Sequence, residues 1–259
     1  MKSKLLTSQI LLLLAVCSVN LYAVEKKDYS PFPNPNVGYV TDIAGLLTNS
    51  QKEQLQSWLY TTEKNTGVEI IVVTIYSLKD YPGTPNNSIE DFAKDLFDAY
   101  KIGNMPKNNG VLLLVALKDR KARIELGAGY RHSRDSDATR IMQNIIIPQF
   151  KKNHYDKGTI NGVRSIIREF SGMIIIPGWI KIIVATVIPI FAVIAFSLFR
   201  KGKRGWGWIC VGLIIVLILA FVRLLQKTVE ALPEGSPSGG FGGGFGGGFS
   251  GGGGATGSW

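Results

Sequence analysis

The sequence predicts an α/β domain on a mixed β-sheet, followed by a two-helix transmembrane hairpin. Three observations carry this. Residues 68–76 form a continuous, largely β-branched run, which marks a central strand buried on both faces. A second apolar run, residues 111–117, is too short for a usual helix and lies between Gly110 and a charged turn, so it is also a strand. A helical pattern separates the two, and strand–helix–strand in that order gives parallel strands joined by a right-handed crossover. Further on, residues 182–199 and 206–222 are apolar enough to cross a bilayer.

Residues 1–23 have a basic start (Lys2, Lys4), an apolar stretch and the ending Leu21-Tyr22-Ala23. This is a secretory signal peptide with a cut after Ala23. Leu21 is large for its position relative to that cut, so an uncleaved anchor is the alternative. Val16 replaces the small residue wanted before Cys17, which argues against lipidation. Residues 24–36 are polar, with Pro31, Pro33 and Pro35, and form a linker.

The globular domain covers residues 37–172. Residues 37–40 make a short edge strand, followed by Asp42. Overlapping capping boxes, Thr48 with Gln51 and Ser50 with Glu53, start a helix. Leu55, Trp58, Leu59 and Thr62 share its inner face, and Gly67 closes it. After the central strand, Pro82-Gly83 and Pro85 mark a loop. Ser88 caps a second helix that buries Ile89, Phe92, Ala93, Leu96, Phe97 and Tyr100, and Gly103 ends it. The strand at 111–117 is followed by the tight turn Lys118-Asp119-Arg120-Lys121. Ala122, Ile124 and Leu126 then alternate with Arg123 and Glu125, the pattern of a half-exposed strand at or near a sheet edge. Gly127-Ala128-Gly129 breaks it. A helix begins at 135–137 with Ile141, Met142, Ile145 and Ile146 inward, and Pro148 kinks or restarts it. A last helix, 156–170, is apolar at Ile160, Val163, Ile166, Ile167 and Phe170.

Residues 173–225 hold the hairpin. Its basic loop, Arg200-Lys201-Gly202-Lys203-Arg204, is cytoplasmic by the positive-inside rule, and Trp206 and Trp208 are interfacial anchors. The protein therefore sits in the cytoplasmic (inner) membrane with the domain and the C-terminal tail both extracytoplasmic. The tail, residues 226–259, is mostly glycine with Phe241, Phe245 and Phe249, a composition that predicts disorder.

The net charge of +10 misleads. Residues 24–172 hold 20 Lys and Arg against 17 Asp and Glu, and most of the excess flanks the apolar segments. That is topology charge and excludes nucleic acid as a partner. The two cysteines, Cys17 and Cys210, lie in apolar segments, so there is no disulfide framework. With only His132 and His154 and no cysteine, the domain has no zinc site, and any metal would take oxygen ligands, as Ca²⁺ or Mg²⁺ do. No Ser-His-Asp motif, P-loop or dinucleotide fingerprint is present. Gly127-x-Gly129 lacks the third glycine and the strand–turn–helix register of a nucleotide site.

The chain resembles the TPM-domain family, which is related to thylakoid lumen phosphatase and photosystem II repair proteins, and in particular its bacterial YgcG-like members. The matching residues are Val40-Thr41-Asp42 with Leu46-Leu47, residues 66–74, Phe92-Ala93, Ile102-Gly103, residues 109–115, Asp119-Arg120, Arg123-Ile124-Glu125 with Gly127 and Gly129, Asp137-Ala138, Ile147-Pro148 with Phe150, and Tyr155 with Gly158. The apolar hairpin and the glycine tail ending in Gly-Ser-Trp resemble the YgcG-like members too. After Gly129 the sequence departs from the commoner, shorter loop. The resemblance implies a three-layer αβα sandwich around a small mixed sheet. It also implies acid-phosphatase-like activity and Ca²⁺ or Mg²⁺ binding through loop carboxylates, while other members act as auxiliary factors for membrane complexes.

The candidate metal ligands are Asp42, Asp119, Asp135 and Asp137, and the candidate catalytic pair is Asp119 with Arg120, whose guanidinium suits a phosphate. Asn109, Gly127 and Gly129 are further candidate binding positions. Each also has a plainer role. Asp119-Arg120 suits a hairpin turn, Asp135 or Asp137 a helix cap, and Asp42 a turn cap. The layout puts Asp42, Ser77 and Asp119 at one end of the sheet, and Asn109, Gly127, Gly129 and the Asp135 loop at the other. Two functions follow. The first is a divalent-cation-binding accessory or assembly module for membrane-protein partners, and the second is a metal-assisted phosphatase at the outer membrane face.

Overall fold

The computed structural model describes residues 28–35, 38–130, 132–175 and 246–259, with scattered positions between 186 and 219. The expected signal peptide lies outside these residues, as do most of the two expected spans and the tail between 226 and 245. No helix among the described residues is long and apolar enough to cross a membrane.

The sheet has five strands in sequential order: β1 (Val40–Asp42), β2 (Ile70–Ile75), β3 (Val111–Ala116), β4 (Lys121–Gly127) and β5 (Ser250–Ser258). β1, β2 and β3 are parallel, with Val40 opposite Val72 and Ile70 opposite Val111. β4 turns back antiparallel to β3, and β5 runs antiparallel to β4, with Ile124 opposite Ala255. The parallel pairs follow from their connections. Helix α1 (Asn49–Thr66) joins β1 to β2, and α2 (Ile89–Tyr100) joins β2 to β3. The tight turn at 118–120 permits only an antiparallel partner.

Capping and patterning act as the sequence implies. Thr48 and Gln51 close a reciprocal capping box on α1, and Gly67 ends it in the left-handed conformation at φ 69°. The Ser88 hydroxyl accepts from Asp91 N at the start of α2. All six apolar residues of the α2 inner face are fully buried. α3 (Asp135–Ile141) continues through a π-helical turn, Met142–Ile146, into α4 (Ile147–Phe150), which has Pro148 in its first turn. α5 (Tyr155–Ile166) follows. Helices flank both faces of the sheet: α2 packs on β4 and β5 from one side, and α3 and α5 lie on the other.

Three expectations are corrected. The first strand runs from Val40 to Asp42, not 37–40. β4 is not a half-exposed edge: Arg123 is 9% exposed and Glu125 is 0%. Its pattern is polar on one face, but α2 covers that face and β5 takes the free edge, so two paired charges are buried where solvent was expected. Thirdly, the last nine residues before Trp259 are a strand. Glycine carries no side chain that could show a two-residue period, so the composition concealed it.

Candidate functional site

Two of the predicted carboxylates lie at the C-terminal ends of β1, β2 and β3. Asp42 Oδ1 accepts from Leu46 N and Oδ2 from Leu47 N, both at 3.0 Å, and the Thr74 hydroxyl also donates to it. Asp119 accepts from Ser77 Oγ at 3.0 Å and from Leu78 N at 2.7 Å. Each aspartate therefore ties a loop to a neighbouring strand. Arg120 is exposed at the left-handed corner of its turn, φ 51°, and its carbonyl accepts from Trp259 N at 3.2 Å.

The glycines gather at the opposite end, as the layout implied. Gly127 N donates to Gly110 O and Gly129 N to Asn108 O, both at 2.9 Å. A Cβ on Gly129 would stand 1.9 Å from Lys107 O, so only glycine fits this close approach. Asn109 contributes its carbonyl, which accepts from the Tyr130 hydroxyl at 3.0 Å. The residue that reaches the C-terminal segment is its neighbour, Asn108. Asn108 Nδ2 donates to Phe249 O at 2.9 Å, and its Oδ1 accepts from Phe249 N at 3.0 Å.

Glu69 lies beside this corner, 1% exposed. It accepts from Gly103 N at 2.6 Å and from Gly246 N at 3.3 Å. Burial pushes its carboxyl up to about 7, with the nearby Glu63 charge acting in the same direction and the two N–H donors opposing. Glu63 itself accepts from the Tyr39 hydroxyl and from Asn104 Nδ2.

A second polar cluster lies between α2, β4 and β5. Arg123 Nη2 is 2.7 Å from Glu125 Oε2 and also donates to Gly253 O at 3.2 Å. Ser250 Oγ donates to Glu125, and Ser250 N donates to Asp98 at 2.6 Å. The Thr256 hydroxyl donates to Glu90. Burial raises the Glu125 and Asp98 carboxyls. At Glu90 burial also pushes up, but hydrogen bonds from Thr256 and Ser88 hold the group below its usual value.

Asp135 and Asp137 occupy the first turn of α3 and face different neighbours. Asp135 accepts from Gly254 N at 2.7 Å and meets His132 Nδ1 at 2.8 Å. Asp137 lies between Arg134 Nε at 3.0 Å and Arg140 Nη2 at 3.2 Å, in a surface network that also includes Glu169.

The four aspartates are thus split between the strand ends and α3, and all four already accept from protein donors. Among the described residues no group of three or more acidic, histidine or cysteine side chains is placed to hold a metal. The Arg134 and Arg140 guanidiniums on either side of Asp137 repel a cation. The residues present do not fit a shared Ca²⁺ or Mg²⁺ site.

Sequence reasoning missed Glu69, Asn108, Asp98, Glu90 and the tail itself. Two signals were available. Glu69 is the one charge inside a β-branched run, and Arg123 with Glu125 puts opposite charges two apart on one strand face, positioned to pair if buried.

This geometry defines an α/β domain whose open sheet edge is closed by the chain's own C-terminus, with acidic side chains that organise loops and strand contacts. The TPM-domain family model matches residues 40–169, and the chain belongs to that family. Solved structures similar to this chain include the N-terminal domain of a protein from P. gingivalis, 29% identical, covering 60% of this chain and 94% of that one, TM-score 0.43. The N-terminal domain of cg2496 protein from Corynebacterium glutamicum is 17% identical, with 54% and 84% covered and a TM-score of 0.40. BA42 protein from Bizionia argentinensis is 26% identical, with 48% and 83% covered and a TM-score of 0.40. No curated protein matches the chain.

Proposed function

We propose that this TPM-domain protein is a membrane-tethered, extracytoplasmic accessory module that acts on membrane-protein partners by binding, not turnover. The observation that carries the tethered reading is the pairing of β5 with β4. Residues on either side of 176–245 contribute to one sheet, so both lie on the same side of any membrane. Any crossings of the intervening chain are then even in number, which suits a two-span hairpin. Ile190, Val193, Phe196, Ile215, Val216 and Leu219 are all more than half exposed, large apolar side chains in the segment expected to meet lipid. A binding role is supported by the aspartates themselves, which brace loops and strands.

The test has two arms. Residues 200–204 carry the basic loop, and a cysteine introduced there is expected to be inaccessible to an impermeant thiol reagent in intact cells, while one at Ser136 is labelled. Labelling of both, or of neither, overturns the hairpin. Purified full-length protein is then assayed for phosphate release from a phosphomonoester with Mg²⁺, Ca²⁺ or EDTA, beside Asp137→Asn. No turnover above the buffer is expected. Cation-dependent turnover lost in the variant makes the protein a phosphatase and ends the binding reading.

A further inference from the structure

β5 is held differently from the other strands. Beyond its ladder with β4, the C-terminal segment has its backbone bound by side chains from separate parts of the domain. Glu69 takes Gly246 N. Asn108 takes both polar groups of Phe249. Asp98 takes Ser250 N, and Asp135 takes Gly254 N. Arg123 donates to Gly253 O. The ladder is irregular here: Leu126 pairs with Gly253 but Gly127 with Ser250, so residues between them bulge, and side chains satisfy groups the ladder leaves over.

The glycines are required by close approach. A Cβ at Gly248 would stand 2.1 Å from Ile102 O, and one at Gly254 would stand 1.9 Å from Ile124 O. At Gly257 it would meet Ile147 at 2.6 Å. The segment ends in an aromatic slot, where Trp259 stacks edge-on against Phe150 at 4.6 Å between ring centroids, with Tyr155 at 6.0 Å. Ala255 is the segment's only residue in the hydrophobic core of the described residues. The hold is therefore mostly hydrogen bonds and one terminal ring. Removing the segment leaves the edge of β4 free, beside a groove lined by these polar side chains. Main-chain capture of an extended chain at a sheet edge, with side-chain pockets setting specificity, is how proteins recognise peptide strands.

We infer that the edge of β4, lined by Asn108, Asp98, Arg123 and Asp135 and ended by the Phe150–Tyr155 slot, is a binding site for an extended glycine-rich peptide that carries an aromatic residue after its glycine run. Residues 246–259 are its tethered, exchangeable occupant. The site stands on the strand contacts alone and does not depend on the membrane reading. The tether raises the occupant's local concentration, so a free peptide competes poorly with it in the intact chain.

The test uses the full-length chain and a fluorescent synthetic peptide with the sequence of residues 246–259. In the Gly254→Val chain, the new side chain collides with Ile124 O and frees the groove. The peptide is expected to bind this variant at least about tenfold more tightly than the wild-type chain, by anisotropy. A peptide carrying the same Gly254→Val change is expected to bind neither. A folded variant that takes up no peptide overturns the inference. Hydrogen exchange on the wild-type chain decides the matter separately, and covers the case in which the variant does not fold. Amides of residues 253–257 are expected to exchange at least about tenfold faster than those of Val72 and Leu113, through detachment alone. Exchange at the same rate as the central strands makes β5 a permanent part of the fold and overturns the inference.

Discussion

Asn108 holds Phe249 by both of its backbone groups, donating to the carbonyl at 2.9 Å and accepting from the N–H at 3.0 Å. Asn108 is 4% exposed and has a left-handed backbone, φ 47°, which asparagine tolerates better than most residues. One side chain 141 positions away in sequence thus acts as a strand for a single residue.

Asn108→Asp keeps the shape and the left-handed preference but removes the donor and sets a carboxylate against Phe249 O. The expected cost is about 1–3 kcal/mol, in the range for a buried polar group left unmatched. Urea unfolding measures it. A change within error would mean that Phe249 is not held through this side chain.

Glu69 predicts a pH dependence. Its folded-state value, about 7, lies above the ordinary 4.5. The folded state keeps the proton longer than the unfolded state does. The stability associated with this group is complete below pH 4.5, falls as pH rises, and is lost above about 7. The shift corresponds to roughly 3 kcal/mol. Glu69→Gln is expected to flatten the urea midpoint between pH 5 and 8, and an unchanged slope would assign the pH dependence to other groups.

Arg123 and Glu125 form a buried pair. Arg123→Met leaves the Glu125 carboxylate buried without its partner and is expected to destabilise by about 3–5 kcal/mol. The double change Arg123→Met with Glu125→Leu is expected to cost less than the single one, because no lone charge is left behind. Thermal melts of the three chains test this. A double variant worse than the single would show that Glu125 is held mainly by Ser250.

Asp119→Ala unhooks Ser77 and Leu78 from the turn after β3. The expected loss is about 1–3 kcal/mol in thermal or urea unfolding. It is expected to be the same with Ca²⁺ or with EDTA. A loss that appears only with Ca²⁺ present would restore Asp119 as a metal ligand.

Local physics was legible in the sequence. The capping box of α1, the six inward residues of α2 and the apolar runs of β2 and β3 are each settled by contacts within a few residues or by a repeating period. They appeared where the pattern put them. The opposite ends assigned to Asp119 and to Gly127 with Gly129 also followed, because a tight turn and a parallel crossover leave little freedom. The grouping of Asp42, Asp119, Asp135 and Asp137 did not. Whether carboxylates converge depends on loop paths, and here each loop spends its aspartate on its own backbone or a neighbouring arginine.

The sequence by itself determined the order of β1 to β4 and of the helices between them, the parallel core and the family, since these rest on periodicity and turn chemistry. Only the tertiary structure decided what covers β4. A glycine strand has no side-chain alternation to read, and its partner edge is more than a hundred residues away. Once Gly254 and Gly257 pass close against β4 and Ile147, the absence of side chains becomes what the site selects. The charges of Arg123 and Glu125, read as solvent-facing, then become the buried lining of that contact.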